Sequence, residues 1–137
     1  MDFIVDASVA MGWLLKSQET PLTVAAEEAL TSGNGWIPCH FGIEVGRSLR
    51  GLERHGLVTP DVVDRSFARL HDLPLQQDPE PALDTLPTTV KLARRHALRI
   101  ADAVYLELAL RLRLPLATRD AAFARAAETA GVVLFKN

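Results

Sequence analysis

The stretch Phe3-Ile4-Val5-Asp6-Ala7-Ser8-Val9 decides how this chain is to be read. Phe3-Ile4-Val5 predicts a short buried strand, and from Ala7 to Lys16 the residues Val9, Trp13 and Leu14 recur at helical spacing, so strand passes into helix at Asp6. Near the other terminus a second acid holds the equivalent place: Leu116-Ala117-Thr118 predicts a strand, Arg119 and Asp120 follow, and a helix over 121–130 is stopped by Gly131. In an open α/β sheet, ligands gather beyond the carboxyl ends of the strands, so acids at two strand ends converge although they are far apart in sequence. The N- and C-terminal quarters are therefore expected to build one site.

Between them the same alternation continues. Thr20-Pro21 opens a helix, with a capping residue before proline at the first helical position, and Gly33-Asn34-Gly35 stops it. Trp36-Ile37-Pro38 makes a second strand. A helix over 40–55 carries the stripe Phe41, Val45, Leu49 and Leu52 and ends at Gly56. Thr59-Pro60 opens another, through Leu70. Leu73-Pro74-Leu75-Gln76 reads as an edge strand, because Pro74 has no donor to give a central one. The proline-rich stretch 78–87 sets no clear boundary; a helix follows it to His96, another covers 102–113, and Val132-Val133-Leu134-Phe135 is a last strand. Strands alternating with helices imply an α/β fold with a small parallel sheet flanked by helices, in a single domain over residues 1–137.

Composition narrows the function. With 137 residues, 48% of them hydrophobic, the chain is long enough to bury a core and is not a disordered tail. Cys39 is the only cysteine, which excludes an internal disulfide and a cysteine zinc cage and suits a reducing, cytoplasmic setting. No apolar run approaches the roughly 20 residues of a membrane span, and the N-terminus enters a strand without a charged leader, so a soluble protein is expected. A net charge of −2 argues against coating nucleic acid through an overall field, yet the cations are mostly arginine, whose fork suits phosphate.

Two further acids fall on the same predicted edge: Glu44, in Pro38-Cys39-His40-Phe41-Gly42-Ile43-Glu44-Val45, and Asp102, in Ile100-Ala101-Asp102-Ala103-Val104-Tyr105. Four carboxylates in one crevice repel unless a hard cation sits among them, and oxygen donors without a cysteine or histidine cluster suit Mg²⁺ or Mn²⁺. Such a site activates water and neutralises a phosphodiester, the logic of metal-dependent nucleases. Ser8 and Thr118 each put a hydroxyl two residues from a strand-end acid. The alternative for Asp6, Asp102 and Asp120 is helix capping, which aspartate does well, and for Glu44 an exposed helix position paired with Arg47. Trp13, Trp36 and Tyr105 read as core, and the four histidines as surface or core-edge residues without ligand spacing. Arg47 and Arg54, with Arg50 nearby, form a stripe suited to RNA phosphates or an acidic partner, or a solvated face. Arg94, Arg95, His96 and Arg99 form a second basic run.

Phe3-Ile4-Val5-Asp6-Ala7-Ser8-Val9, Pro38 with Glu44-Val45, Ala101-Asp102-Ala103-Val104-Tyr105-Leu106 with Ala109, and Leu116-Ala117-Thr118-Arg119-Asp120 resemble, in order and spacing, the PIN domain, most closely its VapC-like ribonuclease toxins. The resemblance implies a metal-dependent endoribonuclease, the toxin of a toxin-antitoxin pair, in which Asp6, Glu44, Asp102 and Asp120 hold Mg²⁺ or Mn²⁺ and Ser8 and Thr118 support the site. It further implies a homodimer and a small antitoxin whose tail covers the active site. Arg47 departs from the pattern, standing where many relatives carry asparagine, as does Ala101, where tyrosine is frequent. Two rivals remain: a non-catalytic interaction module on the same fold, and an aspartate-based phosphatase, which would want a second acid where Ser8 stands. The glycines offer no nucleotide-binding fingerprint.

Overall fold

The computed structural model describes residues 1–79 and 82–137. Four strands, β1 (Phe3–Val5), β2 (Gly35–Ile37), β3 (Leu75–Gln77) and β4 (Leu116–Ala117), form one sheet in the order β3-β2-β1-β4. Every pairing is parallel, with Ile4 opposite both Trp36 and Leu116. Among the described residues seven α-helices connect and cover the strands: α1 (Ala7–Leu14), α2 (Pro21–Ala29), α3 (Phe41–Arg54), α4 (Pro60–Asp72), α5 (Ala82–His96), α6 (Ile100–Leu112) and α7 (Ala121–Thr129).

The layering follows from the two-residue period of β1. Phe3 and Val5 face one way and join a core with Val9, Trp13, Phe41, Val45 and Leu49, from α1 and α3. Ile4 faces the other way and joins Tyr105, Leu106, Leu116, Phe123 and Val132. All three residues of β1 are fully buried, as expected of a central parallel strand. Helices α1 and α2 come close because Gly12 has no side chain: a Cβ there would lie 2.4 Å from Thr23 Cγ2. The Trp13 indole fixes that contact by donating to the Thr23 carbonyl at 2.8 Å.

The expected caps Thr20 and Thr59 each accept a backbone N–H with the following proline in the first turn. Three expectations need correction. Helix α1 ends at Leu14 rather than Lys16, and Lys16–Gln18 tightens into a 3-10 turn. Residues 132–135 do not form a strand; a single parallel bridge joins Leu134 to Leu116, because the chain reaches the edge of the short β4 and has only that much ladder to pair with. Helix α5 contains Pro87 in its interior, against the usual exclusion of proline from that position, so the proline-rich stretch is largely helical. Within that stretch, residues 80 and 81 lie outside the described residues.

Candidate active site

Asp6 leaves the carboxyl end of β1 in extended conformation and becomes the N-cap residue of α1, yet its side chain makes no capping hydrogen bond. Its Oδ2 instead accepts from Ser8 Oγ at 2.9 Å and from Thr118 Oγ1 at 2.7 Å. Each hydroxyl is in turn oriented by a backbone donor, the Arg119 N–H on Ser8 Oγ at 3.1 Å and the Asp120 N–H on Thr118 Oγ1 at 3.1 Å. The loop after β4 thus holds the acid at the end of β1, and because both hydroxyls converge on Oδ2, Oδ1 has no side-chain donor among the described residues. Asp6 is buried, and its carboxyl is pushed above the ordinary range, first by desolvation, against the pull of the two hydroxyls, and further by the negative charge of Asp102.

Asp120 does behave as a cap, its Oδ1 accepting the Phe123 N–H at 3.1 Å at the start of α7. Asp102 lies in the first turn of α6, buried, without capping the helix. Its two oxygens take the fork of Arg99, from Nε at 3.2 Å and Nη2 at 3.3 Å. Those hydrogen bonds, then the charges of Asp102, Glu44 and Asp120, raise the Arg99 guanidinium further above its already high range. The basic run before Asp102 therefore contributes one member to the acids. Glu44, in the first turn of α3, does not pair with Arg47. Its Oε1 accepts from the Tyr105 hydroxyl at 2.7 Å and lies 3.4 Å from His40 Nε2. The alternative of a solvated pair with Arg47 fails because the Glu44 side chain is only 22% exposed and turns toward α6.

Asp6, Ser8, Glu44, Arg47, Asp102 and Asp120 line one open cavity of about 270 Å³, together with Arg99 and Ser48. Thr118 sits behind it. Arg47 is exposed at this cavity, while Arg50 and Arg54 lie outside its walls and Arg50 pairs with Glu53. Trp36 binds Asp2 through its indole, away from the acids. Sequence reasoning missed Tyr105 and His40. Tyr105 is indeed buried, but its hydroxyl faces the acids; burial, then the charges of Glu44 and Asp6, keep the phenol protonated far above its ordinary range. The only available signal was its place three residues after Asp102, one turn along the same helix.

Among the described residues no three acids, histidines or cysteines close into a preformed metal cage. The donors nonetheless fit a hard divalent ion, which takes one or two carboxylates and keeps several waters. The donor set is carboxylate oxygen, and the raised Asp6 carboxyl beside Asp102 is the kind of buried like-charge pair that a cation relieves.

The PIN domain family profile matches residues 3–129. Ribonuclease VapC3 of Mycobacterium tuberculosis, in strains CDC 1551 / Oshkosh and ATCC 25618 / H37Rv, is 33% identical over 123 residues, covering 90% of this chain and 85% of that one. Among solved structures, PAE2754 from Pyrobaculum aerophilum superposes with a TM-score of 0.70 at 21% identity, covering 97% of this chain and 83% of that one. FitAcB from Neisseria gonorrhoeae gives 0.64 at 19%, covering 99% and 97%. These two likenesses are of fold. With the profile spanning nearly the whole chain and a ribonuclease relative at one-third identity, the chain belongs to the PIN domain family and is VapC-like.

Proposed function

We propose that this protein is a divalent-metal-dependent endoribonuclease and the toxin of a toxin-antitoxin pair. One observation carries the reading: Asp6, Glu44, Asp102 and Asp120, from four separate segments, meet in one open cavity at the carboxyl edge of the sheet, with Asp6 buried there. The one-third identity to a ribonuclease supports the same chemistry.

In this reading Asp6, Glu44, Asp102 and Asp120 would hold Mg²⁺ or Mn²⁺. When bound, the ion neutralises the phosphodiester and lowers the pKa of water. The protein's own part is positional and electrostatic. Ser8 and Thr118 orient Asp6 so that Oδ1 remains for a ligand. A carboxylate of the wall accepts the proton of the attacking water, and attack in line with the leaving 3′ oxygen yields a 5′ phosphate, as the resemblance implies. Arg47, at the cavity, offers its guanidinium to the phosphates on either side of the cut, with Arg50 and Arg54 further along the strand.

The partner is a small antitoxin whose basic tail enters the crevice. Arg99 already lays a guanidinium fork on Asp102, the chemistry such a tail would use. No helix among the described residues is long and apolar enough to cross a membrane. Action on RNA in the cytoplasm, as a homodimer, is what the resemblance implies.

The test is cleavage of RNA by the purified chain, freed of any antitoxin. Cutting with Mg²⁺ or Mn²⁺ that stops in EDTA is the expected result. Undiminished cutting in chelator overturns the metal reading. Release of phosphate from small esters instead indicates the phosphatase, and neither activity indicates the non-catalytic module.

A further inference from the structure

Helix α3 packs on α1 and α4 rather than along α6, yet two polar links, each spanning 61 residues of sequence, tie its first turn to the first turns of α6. His40, the N-cap residue of α3, places its Nε2 2.9 Å from the Ala101 carbonyl and therefore carries the proton there, as the donor. Glu44 receives the Tyr105 hydroxyl at 2.7 Å, and the two rings of His40 and Tyr105 lie against one another with centroids 5.1 Å apart. The remaining His40 nitrogen, Nδ1, is buried without a hydrogen-bond partner among the described residues. What positions the His40 ring is therefore its other edge and its face, on the Ala101 carbonyl and the Tyr105 ring.

We infer that Tyr105 is the positioning residue for Glu44, and that His40, braced on the Ala101 carbonyl and on the Tyr105 ring, holds the two in register across the crevice. Among the described residues Arg47, one turn after Glu44, makes no bond to it; on its own helix only His40 approaches this carboxylate, at 3.4 Å, and its short hydrogen bond comes from Tyr105 on α6. One phenolic hydrogen bond occupies Oε1 and leaves Oε2 as the oxygen available to an ion or its water. This rests on the proposed metal site and adds to it the group that aims Glu44, as two hydroxyls aim Asp6, the Phe123 N–H holds Asp120 and Arg99 holds Asp102.

Mn²⁺ binding to the whole chain, freed of antitoxin and without RNA, reads this directly through the free-ion signal in electron paramagnetic resonance. Tyr105→Phe keeps the buried ring and removes only the hydroxyl. The expected result is a Mn²⁺ dissociation constant raised about tenfold, the lower end of the range for a residue that orients a metal ligand. Turnover should fall while KM for RNA stays put. Because any buried substitution can lower the thermal midpoint, the deciding measurement is the cycle with Glu44→Gln: if Tyr105 acts through Glu44, adding Tyr105→Phe to Glu44→Gln changes Mn²⁺ affinity little further. Wild-type Mn²⁺ affinity and turnover in Tyr105→Phe, with loss of both in Glu44→Gln, overturns the positioning role and leaves the acid site standing. Fully additive losses in the double variant overturn it as well. Wild-type affinity in both single variants and in Asp6→Asn overturns the metal site itself and this inference with it.

Discussion

Helix α6 buries two acids five residues apart and treats them in opposite ways. Glu107 has both oxygens on Arg111 Nε, at 3.0 and 2.9 Å, and Arg111 reaches on to Asp78 beyond β3. The hydrogen bonds that Arg111 donates to Glu107 and then to Asp78 raise its guanidinium above its already high range, which marks a cation well satisfied by its neighbours. Asp102 is nearly as buried as Glu107, but the cation bonded to it, Arg99, has a side chain 75% exposed and binds at 3.2 and 3.3 Å while three other acids share the same cavity. Burial alone therefore does not separate a working carboxylate from a structural one. The difference is bonded counter-charge: at one end of the helix a guanidinium bonds every acid described, at the other Asp6, Glu44 and Asp120 have none bonded to them among the described residues, and that shortage is what an ion or a basic tail can fill.

The largest expected effect lies at the short end. Asp6→Asn should lower RNA cleavage by more than about 100-fold, the scale of removing one electrostatic group from a reacting site, while leaving the thermal midpoint unchanged or raised. The stability half follows from linkage. Folding raises the Asp6 carboxyl above its unfolded value of 3.8, chiefly by burial and then by Asp102, so the native state holds the proton more tightly than the unfolded chain does. Stability from this group is thus present at low pH and lost as pH rises from that value through the raised native one. Thermal melts in chelator across that range should show the advantage of Asp6→Asn growing with pH until Asp6 is fully ionised. An advantage that shrinks with rising pH would mean that the two hydroxyls outweigh burial. Wild-type cleavage by Asp6→Asn would place the crevice among structural acids, alongside Glu107.

At the satisfied end the effect is on stability. Arg111→Leu leaves Glu107 buried without its cation, and breaking a buried pair costs about 3–5 kcal/mol. Because the Arg111 side chain is 30% exposed, about 2–3 kcal/mol is the fitting expectation, a midpoint lower by about 10 °C, with cleavage per folded molecule unchanged. Calorimetry beside an activity assay corrected for folded fraction checks both halves. If Arg111→Leu instead loses cleavage at full stability, the two ends of α6 do not divide as described.

The contrast between the ends of α6 also marks what the sequence could tell. Strand, acid and small-residue helix at 3–9 and 116–120 were legible because local periodicity and chain order decide them, and Thr20-Pro21 and Thr59-Pro60 because capping is local. That four acids share one sheet edge follows from the same order. What each carboxylate bonds to does not: Glu44 meets Tyr105 across 61 residues, and Tyr105 reads as one more apolar position on a helix until its hydroxyl is seen. Pairing Glu44 with Arg47 was the local choice, and a nonlocal donor displaced it. Residues 132–135 failed for a related reason, since β propensity makes a strand only where a neighbour offers a ladder, and β4 offers two residues.

The smallest effect is the most discriminating, because Asp120 holds both roles at once. Its Oδ1 caps α7 through the Phe123 N–H, and its side chain also lines the acid cavity. Asparagine caps as well as aspartate, so Asp120→Asn should change stability by no more than a few tenths of a kcal/mol, whereas Asp120→Ala should cost about 1 kcal/mol. If the charge works in the crevice, the two variants lose cleavage and Mn²⁺ binding alike in spite of their unlike stabilities. Should activity follow stability instead, with Asp120→Asn close to wild type and Asp120→Ala impaired, Asp120 is a cap standing beside the site, and the ion would rest on Asp6, Asp102 and Glu44. Parallel melts and cleavage rates on the two variants decide it, since a capping oxygen survives the first substitution and a carboxylate survives neither.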